Sequence, residues 1–261
     1  MFTSLLRSMS VLLLLVFLSG CPVDKDNRLT QYATLEALAG GIYDGDLTIG
    51  DLKKKGDFGL GTFNTLDGEM VMVDGVVYQA RSDGAVVVAD EDLLTPFAVT
   101  LPFQKQFEVG LPDGLDFTGL TTALDAALPS TNFFAAIRID GVFPELTVRT
   151  VPQQEKPYKP LTEVLNDQVV TQVKDVEGTL IILRMPLFVG AINATGYHMH
   201  FLSSNHHLAG HVLALRTSAT TAAVDVVPNW VVELPTTGDF LTAPLDGSMA
   251  EKYRGGALPI L

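Results

Sequence analysis

Five histidines lie close together in one short stretch of this sequence. His198, His200, His206, His207 and His211 are all the histidines of the 261-residue chain, and they fall within fourteen consecutive positions. Imidazole is the commonest metal ligand in proteins, because its neutral ring offers a nitrogen lone pair near neutral pH. The clustering therefore indicates a metal site rather than scattered polar histidines.

The spacing of the histidines selects three of them as ligands. Residues i and i+2 of a β-strand face the same side, so His198 and His200 point together while Met199 turns into the packing. His211 follows a short polar turn and opens another apolar run, as in the returning strand of a hairpin. Three imidazoles with an open fourth position are typical of a catalytic zinc. We therefore predict zinc (Zn2+) at this stretch.

Composition and charge narrow the class of protein. The chain is 47% hydrophobic and 18% charged, which is typical of a globular protein. Its net charge of −13 argues against a nucleic-acid partner and against binding of the folded domain to anionic membranes. An anionic substrate would therefore need a local positive site, supplied by a metal or by a buried arginine.

The first 21 residues have the pattern of a bacterial export signal. Arg7 precedes an apolar run over 11–18 that is too short to span a bilayer. The run leads into Leu-Ser-Gly-Cys, which resembles the lipobox of bacterial lipoproteins, and Cys21 is the only cysteine. We predict a lipid anchor at Cys21, a polar tether over 22–30 and a place in the bacterial cell envelope. An ordinary signal peptide, which would give a secreted protein, is the alternative.

The remaining chain is predicted to be β-rich with a few short helices. We expect an α/β composition of the α+β type, with two mixed β-sheet subdomains over 31–151 and 152–261. The metal site is expected between them. The run PQQEKPYKP over 152–160 is rich in proline and polar residues, and it is the predicted crossover.

Turn residues and periodicity place the individual elements. Asp74-Gly75 predicts a hairpin, and Asp140-Gly141 is interpreted as a turn after a buried strand. Helices are predicted over 30–39, 48–55, 115–128 and 161–168, strands over 169–173, 178–184, 196–202, 211–216, 223–227 and 230–234, and a short helix or irregular tail over 236–261.

Four separated motifs, in the same order, resemble the α-acetolactate decarboxylases. The resemblance runs from about Gln31 to about Leu234, and four motifs in order are far more specific than one. The motifs are GDFGLGTFNTLDGEM (56–70), AIRIDGVF (136–143), VRTVPQQEKPYKPL (148–161) and GYHMHFLSSN…AGHVL (196–213).

The family's zinc ligands are a His-x-His pair and a third histidine eleven residues later. The resemblance therefore implies His198, His200 and His211, the three that strand geometry also selects. His206 and His207 fall in the intervening turn and are expected to be solvated, with His207 as an alternative ligand.

The resemblance also implies active-site residues in distant segments. These are Glu69 after an Asp-Gly turn, Arg149 in the Val-x-Thr segment and Thr62 in the Gly-Thr-Phe segment. In some members a glutamate of the C-terminal tail reaches the metal, and Glu251 is the candidate here. Without the resemblance, Glu69, Arg149 and Thr62 are interpreted as ordinary turn or strand residues.

The activity implied is zinc-dependent conversion of the small molecule (S)-2-acetolactate into (R)-acetoin and CO2. Zinc would chelate the hydroxyl and ketone oxygens, and Arg149 would stabilise negative charge. Glu69 would handle the proton, with a pKa raised by burial beside Phe63 and Met70. Whether the chain forms a homodimer stays open.

Two alternative functions belong to other classes of protein. A cupin-like metalloenzyme would place a glutamate a few residues after the His-x-His pair, but none lies between His200 and His211. A surface lipoprotein that scavenges zinc would also use His206 and His207 and would have no need of Arg149.

Overall fold

The computed structural model describes residues 27–255. The predicted signal peptide, Cys21 and most of the predicted tether lie outside this range, whereas 28–30 belong to the first strand. The strands are β1 (Arg28–Tyr32), β2 (Leu47–Thr48), β3 (Phe58–Thr62), β4 (Glu69–Val73), β5 (Val76–Ala80), β6 (Val86–Val88), β7 (Leu94–Thr95), β8 (Ala98–Leu101), β9 (Phe107–Leu111), β10 (Phe134–Thr150), β11 (Val169–Met185), β12 (Gly196–Ser203), β13 (Ala209–Arg216), β14 (Thr220–Val227) and β15 (Asn229–Glu233). The helices are α1 (Leu35–Ala39), α2 (Ile49–Lys53), α3 (Phe117–Ala127), α4 (Leu161–Val164) and α5 (Ser248–Gly255).

Two large sheets form the molecule. The first has seven strands in the order β15-β1-β8-β3-β4-β5-β6, and the second has six in the order β11-β12-β13-β10-β14-β9. A small third sheet pairs β2 with β7. The first sheet is mixed, because β1 runs parallel to β15 and antiparallel to β8. The predicted β-rich α+β architecture is confirmed.

The long strands β10 and β11 correct one prediction. Asp140-Gly141 does not end a strand: β10 continues through it and pairs antiparallel with β11 from Ala135 opposite Arg184 to Thr150 opposite Val169. The other side of β10 pairs with β14 and β13, so β10, β11, β12 and β13 close into a small barrel. Backbone pairing along the whole length of β11 therefore outweighs the local turn preference of the Asp-Gly pair.

Asp74-Gly75 shows what a true hairpin turn requires. Both residues have positive φ, 52° at Asp74 and 75° at Gly75, and they join β4 to β5 as predicted. Gly141 does not have a positive φ. The two Asp-Gly pairs therefore look alike in sequence but differ in backbone conformation.

The sheets do not divide the chain at the predicted boundary between 151 and 152. Strands β9 and β10 precede this boundary but belong to the second sheet. Strand β15 follows it but returns to the first sheet, where it lies beside β1. Each sheet is thus built from both halves of the chain.

The apolar core lies in layers on both faces of the sheets. Val71 and Val73 join a cluster that includes residues of both sheets, whereas Met70 and Met72 face a separate cluster with α2. A third cluster lies on the other face of the second sheet, where α3 packs on it. The alternation along β4 follows from the two-residue period of a strand. The space between the two sheets is therefore where residues of both can meet.

The prediction of a helix over 30–39 was wrong for the first half of this range. Residues up to Tyr32 form β1, and Ala33 breaks the strand with a φ of 61° before Thr34 caps α1. The short tail helix is found as α5, with Glu251 in its first turn. No helix in the described range is long and apolar enough to cross a membrane.

Candidate functional site

The three predicted zinc ligands meet at one point on the face of the second sheet that is turned toward the first sheet. His198 and His200 lie on β12, and His200 is paired in register with His211 on β13. Their ring centroids are 4.9 to 5.3 Å apart, and one nitrogen from each ring falls within 4.8 Å of the others. Met199 is fully buried in the core cluster on the opposite face, as the strand period requires. The three side chains form a candidate metal-binding triad.

Burial keeps these imidazoles neutral. It lowers the pKa of His200 to about 4, and it lowers the pKa values of His198 and His211 well below the usual value. The positive charge of Arg149 acts in the same direction on all three. A neutral imidazole is the form that binds a metal, so the triad is ready to bind one at neutral pH.

The hydrogen bonds of His200 fix which nitrogen is available. Its Nδ1 lies 2.7 Å from the carbonyl oxygen of Met70 and must donate, because a carbonyl can only accept. Its Nε2 is then the acceptor, and it is buried without a hydrogen-bond partner in the described part of the chain. A buried acceptor of this kind, oriented by a second-shell carbonyl, fits a metal cation.

The spacing of the other two rings fits the same cation. His198 Nε2 and His211 Nδ1 are 3.2 Å apart. Two nitrogens bound to one tetrahedral zinc are separated by about 3.3 Å, since each zinc–nitrogen bond is about 2.0–2.1 Å. The His198–His211 pair therefore matches the separation expected at zinc, and the three donor nitrogens together lie within 4.8 Å of one another.

The first sheet contributes Glu69 and Thr62, which are paired opposite each other on β4 and β3. The Glu69 side chain is 12% exposed, and its Oε2 lies 3.6 Å from His200 Nε2. Burial raises the pKa of Glu69 to about 7, while the charge of Arg149 opposes the rise. The Thr62 hydroxyl donates to the Gly68 carbonyl at 2.8 Å, and so fixes the turn that precedes Glu69.

Arg149 lies beside the triad because β10 pairs it in register with His211. The residue is 5% exposed. Its Nη1 donates to Gln168 Oε1 at 3.3 Å and its Nη2 to the Tyr253 hydroxyl at 3.5 Å, whereas its Nε has no hydrogen-bond partner within residues 27–255. The guanidinium takes part in no ion pair in that range. Its positive charge therefore faces the histidines and Glu69, and it acts to lower the pKa values of all four groups.

The structure does not bring Glu251 to this cavity. Glu251 is exposed on α5, and the metal-binding group contains only the three histidines among the described residues. Two positions later on the same helix, Tyr253 faces inward and lines the cavity. Tyr253 carries no local sequence signal for the site, because the face with which a short amphipathic helix docks depends on the surface it meets.

His206 and His207 lie outside the triad, in the turn between β12 and β13. Both are exposed, and the His206 ring packs against Tyr78 with the centroids 4.8 Å apart. The described cluster of potential ligands does not include them.

Apolar side chains form the rest of the cavity wall. They come from α1, from segments that flank strands of the first sheet and from the segment that follows β10. Such a wall excludes water and strengthens the electrostatic interactions inside. The apolar residues include Leu35, Leu38, Leu66, Phe97, Val151 and Leu161.

Residues 29–247 match the sequence model of a family described as alpha-acetolactate decarboxylase. The chain belongs to this family. The alpha-acetolactate decarboxylase of Methylococcus capsulatus is 42% identical over 221 residues, which cover 85% of each chain. That of Methanosarcina mazei is 40% identical, over 85% of this chain and 77% of that one. The predicted family membership and the prediction of an enzyme are confirmed.

Solved structures agree with the family assignment. The crystal structure of alpha-acetolactate decarboxylase from Bacillus subtilis strain 168 matches with a TM-score of 0.85 and 34% sequence identity. The match covers 87% of this chain and 97% of that one. The fold described above is therefore that of the alpha-acetolactate decarboxylases.

Proposed function

We propose that this chain decarboxylates (S)-2-acetolactate to (R)-acetoin and CO2, with zinc held by His198, His200 and His211. One observation carries the proposal. Three neutral imidazoles, a buried guanidinium without an ion pair and a carboxyl with a raised pKa converge on one apolar cavity. These are the groups that a decarboxylation through an enediolate requires.

The donor set supports zinc as the metal. Imidazole nitrogens suit zinc, and three protein ligands leave positions open for substrate. When bound, zinc supplies a Lewis acid that stabilises negative charge on the hydroxyl and ketone oxygens of the substrate. His200 is held in the ligating orientation by the Met70 carbonyl.

Arg149 binds the substrate carboxylate in this mechanism. An arginine guanidinium carries a delocalised positive charge that matches a carboxylate, and no ion pair within the described chain competes for that of Arg149. The bond between the carboxylate carbon and its neighbour breaks, CO2 leaves, and the electron pair remains in the enediolate. Arg149 then faces the developing negative charge, and its preorganised positive charge lowers the barrier.

Glu69 supplies the proton that completes acetoin. A carboxyl with a pKa of about 7 is substantially protonated near neutral pH, and it can donate to the enediolate carbon. Because Glu69 approaches from the first sheet, opposite the histidines and Arg149 of the second, the proton arrives on one face. One-sided delivery gives a product of a single hand, and solvent then reprotonates Glu69.

Metal removal tests the proposal. We expect a zinc-free preparation, verified by elemental analysis, to lose acetoin formation at least a hundredfold and to regain it with added zinc. His200→Ala should abolish the recovery, because it removes one ligand. The matched control is the double variant His206→Ala/His207→Ala, which removes two exposed histidines and should keep full activity. Full CO2 release by the verified metal-free chain would contradict the scheme.

We further propose that the chain is an exported lipoprotein anchored through Cys21. The support is the sequence pattern alone: an apolar run over 11–18 that leads to the only cysteine. A full chain expressed in a bacterial host should incorporate a labelled fatty acid and sediment with membranes. Cys21→Ala should lose both properties, and unchanged labelling of this variant would contradict the anchor.

A further inference from the structure

We infer that Gln168 and Tyr253 are positioning residues for Arg149. They hold its two terminal nitrogens with neutral acceptors, so that the full charge of the guanidinium remains available to a substrate carboxylate. The inference rests on the proposed function, because it assigns to that cavity the groups that orient its anion-binding arginine.

The contacts of Arg149 define the two roles. Gln168 Oε1 accepts from Nη1 at 3.3 Å, and the Tyr253 hydroxyl accepts from Nη2 at 3.5 Å. Both acceptors are uncharged, and each binds one of the two terminal nitrogens of the planar guanidinium. The third nitrogen of the guanidinium, Nε, has no hydrogen-bond partner in the described chain. The guanidinium is thus held in place without being neutralised.

Arg184, the other arginine that is buried among the described residues, shows the usual arrangement. The Arg184 side chain is 6% exposed, and its Nε lies 3.2 Å from the Asp125 carboxylate. Two backbone carbonyls, of Thr131 and Phe133, accept from its Nη1. Buried charges are normally paired in this way, because an isolated one is costly to desolvate. Arg149 departs from that pattern only at the cavity, where an anionic substrate would complete the pair.

Both positioning residues come from segments outside the two barrel strands that carry Arg149 and His211. Gln168 follows the single-turn helix Leu165–Asp167. Tyr253 is carried by α5, whose first turn docks on a buried carboxylate of α1: Glu36 accepts from the Met249 and Ala250 amides at 3.2 and 2.6 Å. The anion site is therefore complete only when α5 is docked.

A variant that introduces a negative charge separates an effect on the guanidinium from simple packing. Gln168→Glu keeps the size and one acceptor but adds a negative charge beside Nη1, which neutralises the guanidinium. Affinities are measured calorimetrically at pH 8 on the zinc-loaded chain for two probes. One is 2-hydroxyisobutyrate, which carries a carboxylate, and the other is acetoin, which does not. We expect the variant to bind 2-hydroxyisobutyrate about tenfold more weakly and acetoin within about twofold of the unaltered chain.

Two further variants complete the design. Tyr253→Phe removes only the hydroxyl, and we expect KM for acetolactate to rise about threefold to tenfold with a smaller change in kcat. The matched control is Tyr158→Phe, which removes a hydroxyl bonded to Asp44 at 2.9 Å, outside the cavity. It should leave KM unchanged. Gln168→Leu should weaken 2-hydroxyisobutyrate less than Gln168→Glu does.

Specific outcomes overturn the inference. Equal losses for both probes in Gln168→Glu would indicate general damage to the cavity, and no loss would show that Gln168 does not act on the guanidinium. An unaltered chain that does not bind 2-hydroxyisobutyrate would remove the premise of an open guanidinium. The proposed function fails separately, if the unaltered chain binds this probe but forms no acetoin.

Discussion

At the scale of single residues, the site depends on removing charge from some groups and preserving it on another. Burial keeps the histidines neutral and raises the pKa of Glu69, whereas Arg149 stays charged with two neutral hydrogen-bond partners. All these side chains share one low-dielectric cavity, so each charge strongly affects the others. The same environment thus prepares a metal site, an acid and an anion site.

The pKa of Glu69 has a measurable effect on stability in the metal-free chain. Its folded value of about 7 lies above the ordinary 4.5, so the unfolded state ionises first as the pH rises. The Glu69 carboxyl by itself therefore removes up to about 3 kcal/mol of stability between about pH 4.5 and 7. The buried histidines, whose pKa values are lowered, add stability as the pH rises over the same interval, and they are common to the unaltered chain and the Glu69→Gln variant. The Glu69→Gln side chain cannot ionise. The free energy of unfolding of this variant, measured with urea at each pH, should therefore rise by about 3 kcal/mol relative to that of the unaltered chain across this pH interval. A difference independent of pH would contradict the raised value.

At the scale of elements, α5 closes the cavity although it makes no part of either sheet. It is held by the Glu36 carboxylate, which is 3% exposed and caps its first turn. Asp46 fixes the segment that leads to this helix, because its carboxylate accepts from Thr236 and Thr237. Residues 236–255 are thus held against the site by contacts at two separate points.

Weakening the hydrogen bonds between Glu36 and the first turn of α5 should increase the mobility of α5 selectively. Glu36→Gln replaces one acceptor oxygen with an amide that cannot accept, so one amide of the first turn of α5 loses its partner at a cost of about 1–3 kcal/mol. We expect faster hydrogen exchange in α5 and a higher KM, because Tyr253 leaves Arg149. Glu251→Gln changes an exposed carboxylate on the same helix and is the control. Unchanged exchange in the Glu36 variant would show that other contacts hold the helix.

At the scale of the whole molecule, the cavity lies between two sheets, each of which contains strands from both halves of the chain. The first sheet provides Thr62 and Glu69, and the second provides the triad and Arg149. A ligand bound there needs both sheets in place. Binding should therefore stabilise the entire fold and not one half of it.

Zinc should raise the unfolding temperature in a single cooperative transition. A ligand that binds only the folded state adds about 2.7 kcal/mol at a concentration one hundred times its Kd. Calorimetry of zinc-loaded and zinc-free chain should show this gain, and His200→Ala should lose it. Two separated transitions, of which zinc moves only one, would contradict a site shared by both sheets.

Much of the site followed from local pattern. The two-residue strand period placed His198 and His200 on one face, and the hairpin spacing brought His211 opposite, because strand geometry is repetitive and short-range. Family motifs pointed to Glu69, Arg149 and Thr62, which the structure brings to the same cavity. The β-rich architecture also followed, since turn residues and alternation are local features.

Only the tertiary structure decided the rest, because it depends on contacts between residues far apart in the chain. Asp140-Gly141 lies within a strand, since pairing with β11 outweighs its turn preference. Tyr253, and not Glu251, reaches the cavity because α5 docks through Glu36, and the hydroxyl meets an arginine 104 positions earlier. The sequence by itself determined the three imidazoles. The environment that makes them neutral, and that leaves the guanidinium unpaired, comes from burial between two sheets.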